Sequence, residues 1–139
     1  LFLSLLAETP APLEGAEKLC RAVSEAGVTL AVASNGDEWF QAERLKAAGL
    51  LKYFSQVFTS EQAGAAKPDP AFYAYVWEGL GFPPKERVLM VGDSVTADII
   101  GSKKFGFAAC WVTKQIGGSS GGADFMAASL EDVIPIVCQ

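Results

Sequence analysis

The stretch "RVLMVGDSVTADIIG", residues 87–101, decides the fold. Residues 88–91 are apolar without a polar residue at every second position. That is the pattern of a strand buried on both faces of a parallel sheet. The run stops at Gly92, and Asp93, Ser94 and Asp98 follow at once. Residues 96–105 then read as a helix ended by Gly106. Ligands of open α/β sheets bind just beyond the carboxyl ends of the strands, so these three side chains are candidates for chemistry. Ser94 could be a nucleophile, or Asp93 and Asp98 could hold a metal. They could also be ordinary acids and caps at a helix start.

"VTLAVAS" (28–34), "QVFTS" (56–60) and "FAACWV" (107–112) repeat the short apolar strand pattern. Helical periods separate them. Leu19, Ala22, Val23 and Ala26 form one face of a helix ended by Gly27. "NGDEWFQAERLKAAGL" (35–50) reads as a turn and a helix stopped at Gly49. In "KPDPAFYAYVWEGLG" (67–81), Asp69 is an N-cap and Pro70 takes the first helical position. Phe72, Tyr75, Val76 and Leu80 make the apolar face of that helix. "GGSSGG" (117–122) is a flexible loop, and a last helix starts near Ser129. Strand and helix alternate, which predicts an α/β fold with a doubly wound parallel sheet. No repeat and no second domain are visible.

The bulk numbers suit that fold. The chain has 139 residues, half of them apolar and 19% charged, enough for one core. A net charge of −5 argues against a nucleic-acid surface, which needs a basic face. It does not exclude a small anion held by one local positive site. The apolar runs are too short for a membrane span. Cys20, Cys110 and Cys138 form no CxxC pair. They read as free thiols of a reducing, cytoplasmic compartment.

The Ser94 hypothesis fails on the base. "VGDSVT" looks like the GDS block of SGNH-type esterases, but a serine needs a group to take its proton. In that family the group is His, and this chain has none. The metal hypothesis gains from two other strand ends. Lys67 follows the small-residue loop "AGAAKP", and Pro68 biases it to an extended backbone. There it could be a point charge on a phosphoryl oxygen. Ser34 and Asn35, followed by Gly36, offer donors for phosphate oxygens. Each also has an ordinary reading: a solvated lysine, and an Asn-Gly turn before a helix capped by Asp37.

The order of these pieces is the stronger signal. A strand with Ser-Asn-Gly, then Lys-Pro, then a strand with Gly-Asp-x4-Asp resembles motifs two, three and four of the haloacid dehalogenase (HAD) superfamily. "VLMVGDSVTADIIG" and "AACWV" are similar to its phosphatase branch, and to the bacterial pyrimidine 5′-nucleotidases in it. The resemblance implies that Ser34 and Asn35 hold a phosphate whose charge Lys67 neutralises. It implies that Asp93 ligates Mg2+, with Asp98 as a second ligand or just behind it, so that Lys67 and Asp93 are the catalytic residues here. Two-haloacid dehalogenases have similar "SNG" and "KPDP" segments but lack the acid corresponding to Asp93, so phosphoryl transfer is favoured over dehalogenation. A phosphomutase and a non-catalytic domain that binds phosphate or a partner are also compatible with these motifs.

The resemblance also exposes a gap. The family's nucleophile is the first Asp of a D-x-D-x-T motif on the first strand, and no such motif occurs here. The chain begins at Leu1, and the protein is expected to extend further toward the N-terminus. Residues 1–139 then read as the C-terminal part of a HAD-like core. "LFLSLLAE" would be the last helix of the helical cap, with residues 1–12 forming that helix and its return linker. The implied function is Mg2+-dependent hydrolysis of a small phosphate monoester, such as a nucleoside 5′-monophosphate, through an aspartyl-phosphate. The fragment itself is expected to be inactive. Omitting the nucleophile strand would leave a slot roughly 9–10 Å wide between the strands ending at Ser34 and Gly92. Unpaired backbone groups would line it. Either the missing N-terminal segment, from this or another chain, fills the slot, or the two strands close up.

Overall fold

The computed structural model describes residues 3–6, 15–113 and 121–138. Six parallel strands form one sheet in the order β3-β2-β1-β4-β5-β6. They are β1 (Leu3–Leu6), β2 (Thr29–Ser34), β3 (Gln56–Thr59), β4 (Val88–Gly92), β5 (Ala108–Val112) and β6 (Phe125–Ala127). The helices are α1 (Ala16–Glu25), α2 (Glu38–Ala47), α3 (Ser60–Ala63), α4 (Pro70–Gly79), α5 (Gly101–Phe105) and α6 (Ile134–Val137). A π-helical segment, Val95–Ile100, precedes α5. The doubly wound α/β expectation is met.

Alternate residues of the central strands feed opposite cores, as the pleat requires. Leu30, Val32, Leu89 and Val91 pack on one face with Leu19 and Val23 of α1, Leu45 of α2 and Val137 of α6. Ala31, Ala33, Val88 and Met90 pack on the other with Phe72, Tyr73 and Val76 of α4. Both faces are apolar, so the strands show no polar alternation. Phe72 and Tyr73 are fully buried, and truncating such an aromatic costs about 3–5 kcal/mol. The α1 face differs slightly from expectation. The helix ends at Glu25, leaving Ala26 exposed, and Cys20 takes the fourth buried position beside Ala16, Leu19 and Val23.

One expectation is corrected. Leu3–Leu6, expected as part of a cap helix, is a strand. It lies in the slot itself, with Leu6 level with Val32 of β2 on one side and Val91 of β4 on the other. The physical reason is backbone satisfaction. A strand there pairs the facing edges of β2 and β4 together, whereas a helix would leave both rows of amides and carbonyls unpaired. The neighbouring strands therefore do not close up on each other. The nucleophile motif is still lacking, because this strand reads Leu-Ser-Leu-Leu. The remaining residues assigned to the cap, 1, 2 and 7–12, lie outside the described residues.

The C-terminal end also differs in detail. Residues 117–120 of the "GGSSGG" loop lie outside the described residues. β6 is an addition to the expected strands, since three residues are too few to show a period. The last helix is a 3-10 turn, Glu131–Val133, running into α6.

Candidate active site

The motifs meet at the carboxyl edge of the sheet. Ser34 closes β2 and is fully buried. Its hydroxyl donates to the Asn35 carbonyl at 3.4 Å. Asn35 uses both ends of its amide on the main chain of Lys67. Oδ1 accepts the Lys67 N–H at 2.8 Å, and Nδ2 donates to the Lys67 carbonyl at 3.3 Å. One amide proton remains beyond these two bonds. The ordinary reading of this loop also holds, since Asp37 caps α2 by accepting the Phe40 N–H at 2.8 Å. Capping and site-building are both served by one turn. Ser60 fastens the same turn to α3, accepting the Gly36 N–H at 2.9 Å.

Lys67 is not a solvated loop lysine. Its side chain is 1% exposed, and Nζ lies 2.9 Å from Oδ1 of Asp98, itself 2% exposed. The second oxygen of Asp98 accepts the Ser94 N–H at 3.1 Å. Asp98 is thus turned to Lys67 and to the start of its own helix, with both carboxylate oxygens engaged. Ser94 is its cap, the hydroxyl accepting the Ala97 N–H at 3.2 Å. A chain of contacts therefore runs Asn35–Lys67–Asp98–Ser94 and joins the loops that follow β2, β3 and β4.

Asp93 stands apart from that chain. It is exposed, and among the described residues nothing bonds its carboxylate. The register places it. Ser34 lies two residues beyond Val32, and Asp93 two beyond Val91, so both stand at the same level past β1. Two strand spacings separate them, roughly 9–10 Å.

Two further residues act on the stretch 93–98, and the sequence motifs single out neither. The Trp111 indole donates to the Asp93 carbonyl at 3.1 Å. The Tyr73 hydroxyl donates to the Ala97 carbonyl at 2.5 Å. Burial, and then the charge of Asp98, push the Tyr73 hydroxyl well above its usual range, so it stays protonated and a donor. The available signal is chemical rather than periodic: a buried Tyr or Trp must find an acceptor for its polar tip.

The donor set fits Mg2+. The ion prefers hard oxygen ligands, and one or two carboxylates suffice when phosphate oxygens and waters complete the shell. The unbonded Asp93 carboxylate meets that requirement. Among the described residues no group of three or more His, Cys, Asp or Glu side chains forms an all-protein cage.

The family model for haloacid dehalogenase-like hydrolases matches residues 1–106. The pyrimidine 5′-nucleotidase YjjG of Escherichia coli K12 is 38% identical over 111 residues, covering 80% of this chain and 49% of that protein. The pyrimidine 5′-nucleotidase PynA of Streptococcus pneumoniae R6 is 41% identical over 106 residues, 76% of this chain and 45% of that protein. Among solved structures, the magnesium-bound HAD-hydrolase YfnB of Bacillus subtilis superposes with a TM-score of 0.81 at 30% identity. It covers 89% of this chain and 54% of that one. The chain thus spans about half the length of the curated relatives it matches. Matched by that family model over residues 1–106, the chain belongs to the haloacid dehalogenase-like hydrolases.

Proposed function

We propose that these residues form the C-terminal part of the core of a Mg2+-dependent phosphatase acting on small phosphate monoesters. A nucleoside 5′-monophosphate is the favoured substrate, given the likeness to the two nucleotidases. The observation that carries the proposal is the buried Lys67–Asp98 pair, tied through Asn35 to the end of β2. Burying a lysine is costly unless its charge is used and paired. In this reading the cost supplies one fixed cation between the loops that follow β2 and β4.

In this scheme Ser34 and Asn35 bind and orient the phosphoryl oxygens, and Lys67 neutralises their charge. Asp98 fixes the ammonium, and Asp93 holds Mg2+. When bound, the ion adds further neutralisation and orients the phosphoryl group. The nucleophilic carboxylate comes from outside these 139 residues: it takes the phosphoryl group as the alcohol leaves, and water then hydrolyses the aspartyl-phosphate, returning the carboxylate and releasing inorganic phosphate. The free Cys20, Cys110 and Cys138 suit a cytoplasmic setting. Among the described residues no helix is long and apolar enough to cross a membrane.

The test has two arms. The chain alone should bind Mg2+ and inorganic phosphate together but leave p-nitrophenyl phosphate intact. With a D-x-D-x-T segment restored upstream, it should hydrolyse that ester in an EDTA-sensitive way and lose the activity on Lys67→Met. EDTA-sensitive turnover by the unextended chain would refute the inactivity. Chloride release from 2-chloropropionate by the restored protein, without phosphatase activity, would favour a dehalogenase.

A further inference from the structure

The two aromatic donors have no place in that scheme, yet both end on the same short stretch. We propose that Trp111 and Tyr73 are positioning residues that bracket residues 93–98. They hold the metal-ligating and lysine-pairing carboxylates at a fixed spacing. The proposal rests on the assignment of Asp93 as the Mg2+ ligand.

Trp111 stands beside Gly92 in the β4–β5 ladder and is 8% exposed. Its indole reaches one residue further and takes the carbonyl of Asp93. The main chain of the metal ligand is thereby anchored on β5 while its carboxylate stays exposed. Tyr73 works from the opposite end. In an α-turn the Ala97 carbonyl would receive the Gly101 N–H. At the C-terminal end of the π-helical segment the Gly101 N–H goes instead to the Asp98 carbonyl, three residues back, and the Tyr73 hydroxyl donates to the Ala97 carbonyl. The π-type bond of the segment runs from the Ile99 N–H to the Ser94 carbonyl at 3.2 Å, and π-helical turns are frequent at functional sites. Gly101 makes the approach possible. A Cβ there would stand 2.9 Å from both Pro68 Cβ and Tyr73 Cε2. The same contact that seats Tyr73 thus brings the Asp98 helix against Pro68, next to Lys67.

Trp77 provides the internal control. It too is a partly buried indole donor, bonded to the Pro83 carbonyl at 2.7 Å, but no candidate site residue is involved. Calorimetric titration with MgCl2, then with inorganic phosphate at saturating Mg2+, should separate the roles. Trp111→Phe should weaken Mg2+ binding about 10-fold, in line with losses behind metal ligands. Tyr73→Phe should weaken phosphate binding by about as much. Trp77→Phe should leave both within about 2-fold, well under that range. In the unaltered protein, the Trp111 indole N–H resonance should shift on adding MgCl2 while that of Trp77 does not. This measurement decides the matter even if a variant fails to fold. Loss of Mg2+ binding in Asp93→Asn with no change in Trp111→Phe, or an unmoved Trp111 resonance, overturns the bracket alone. Equal Mg2+ binding by Asp93→Asn and the unaltered chain overturns the assignment of Asp93 and the bracket with it.

Discussion

Two Lys–Asp pairs in this molecule have nearly the same length and opposite meanings. Lys67–Asp98 closes at 2.9 Å with the two side chains 1% and 2% exposed. Lys103–Asp124 closes at 3.0 Å with 35% and 37% exposed. The exposed pair sits in high dielectric, where such contacts contribute about 0–1 kcal/mol. The buried pair has lost its hydration on both sides, and a matched apolar pair of similar volume would often be as stable or more so. Its presence between the loops after β3 and β4 is therefore better explained by what a fixed cation can do than by folding. Distance alone carries no such information. Burial does.

The comparison breaks most sharply at Asp98. Asp98→Ala removes the buried carboxylate that pairs with Lys67 and should cost about 3–5 kcal/mol in urea unfolding. The double variant Lys67→Met/Asp98→Leu should recover most of that loss while abolishing phosphate binding. A double variant as unstable as the single one would mean that the pair serves the fold. Next in size is Gly101→Ala, where the new Cβ would press on Pro68 and Tyr73. Overpacking of that kind should cost about 1–3 kcal/mol, read from the shift in the urea midpoint. Lys103→Ala should cost less than about 1 kcal/mol, and the loss should shrink further in about 1 M NaCl. The cost of Asp98→Ala should hardly change with salt. Asp124→Ala should cost more than Lys103→Ala, since its carboxylate also accepts the Ala109 N–H at 2.9 Å.

At neutral pH the smallest effect concerns two thiols that burial alone shifts. Desolvation pushes Cys20 and Cys110 up to about 12 from 9.0. Their folded pKa values lie above the unfolded ones, so the unfolded chain gives up these protons first as pH rises. Their contribution is whole below about pH 9 and lost between about pH 9 and 12. Melting temperature should fall across that window, and less so in Cys20→Ala/Cys110→Ala. Both thiols should resist a disulfide reagent near pH 8 until the protein unfolds.

Much of the site is legible in the sequence because its motifs are local. Ser34 closes a strand, and Asn35, Lys67, Asp93 and Asp98 lie in the connections that leave one; strand ends are readable from apolar runs and the residues that stop them. Asp69 and Asp37 are legible as caps for the same reason. Tyr73 and Trp111 are not. Helical periodicity selects Phe72, Tyr75 and Val76 on α4 and passes over Tyr73. Trp111 reads as one more apolar residue of β5, and its acceptor lies 18 residues away. The strand at Leu3–Leu6 escapes for a different reason. Its four residues carry no period of their own, and their conformation is set by the two strands they lie between.

Short-range sequence signals set the alternation of strands and helices, the burial of the strands on both faces, and the sheet edge at which the candidate residues gather. Those follow from hydrophobic period, capping and chain connection, all short-range. Only the tertiary structure decided that Asp98 turns to Lys67 while Asp93 stays open, and that a strand without a carboxylate takes the central slot. Each of those outcomes depends on which distant backbone or charge stands opposite. Lys67 and Asp98 are 31 residues apart, and no spacing rule reaches across that gap.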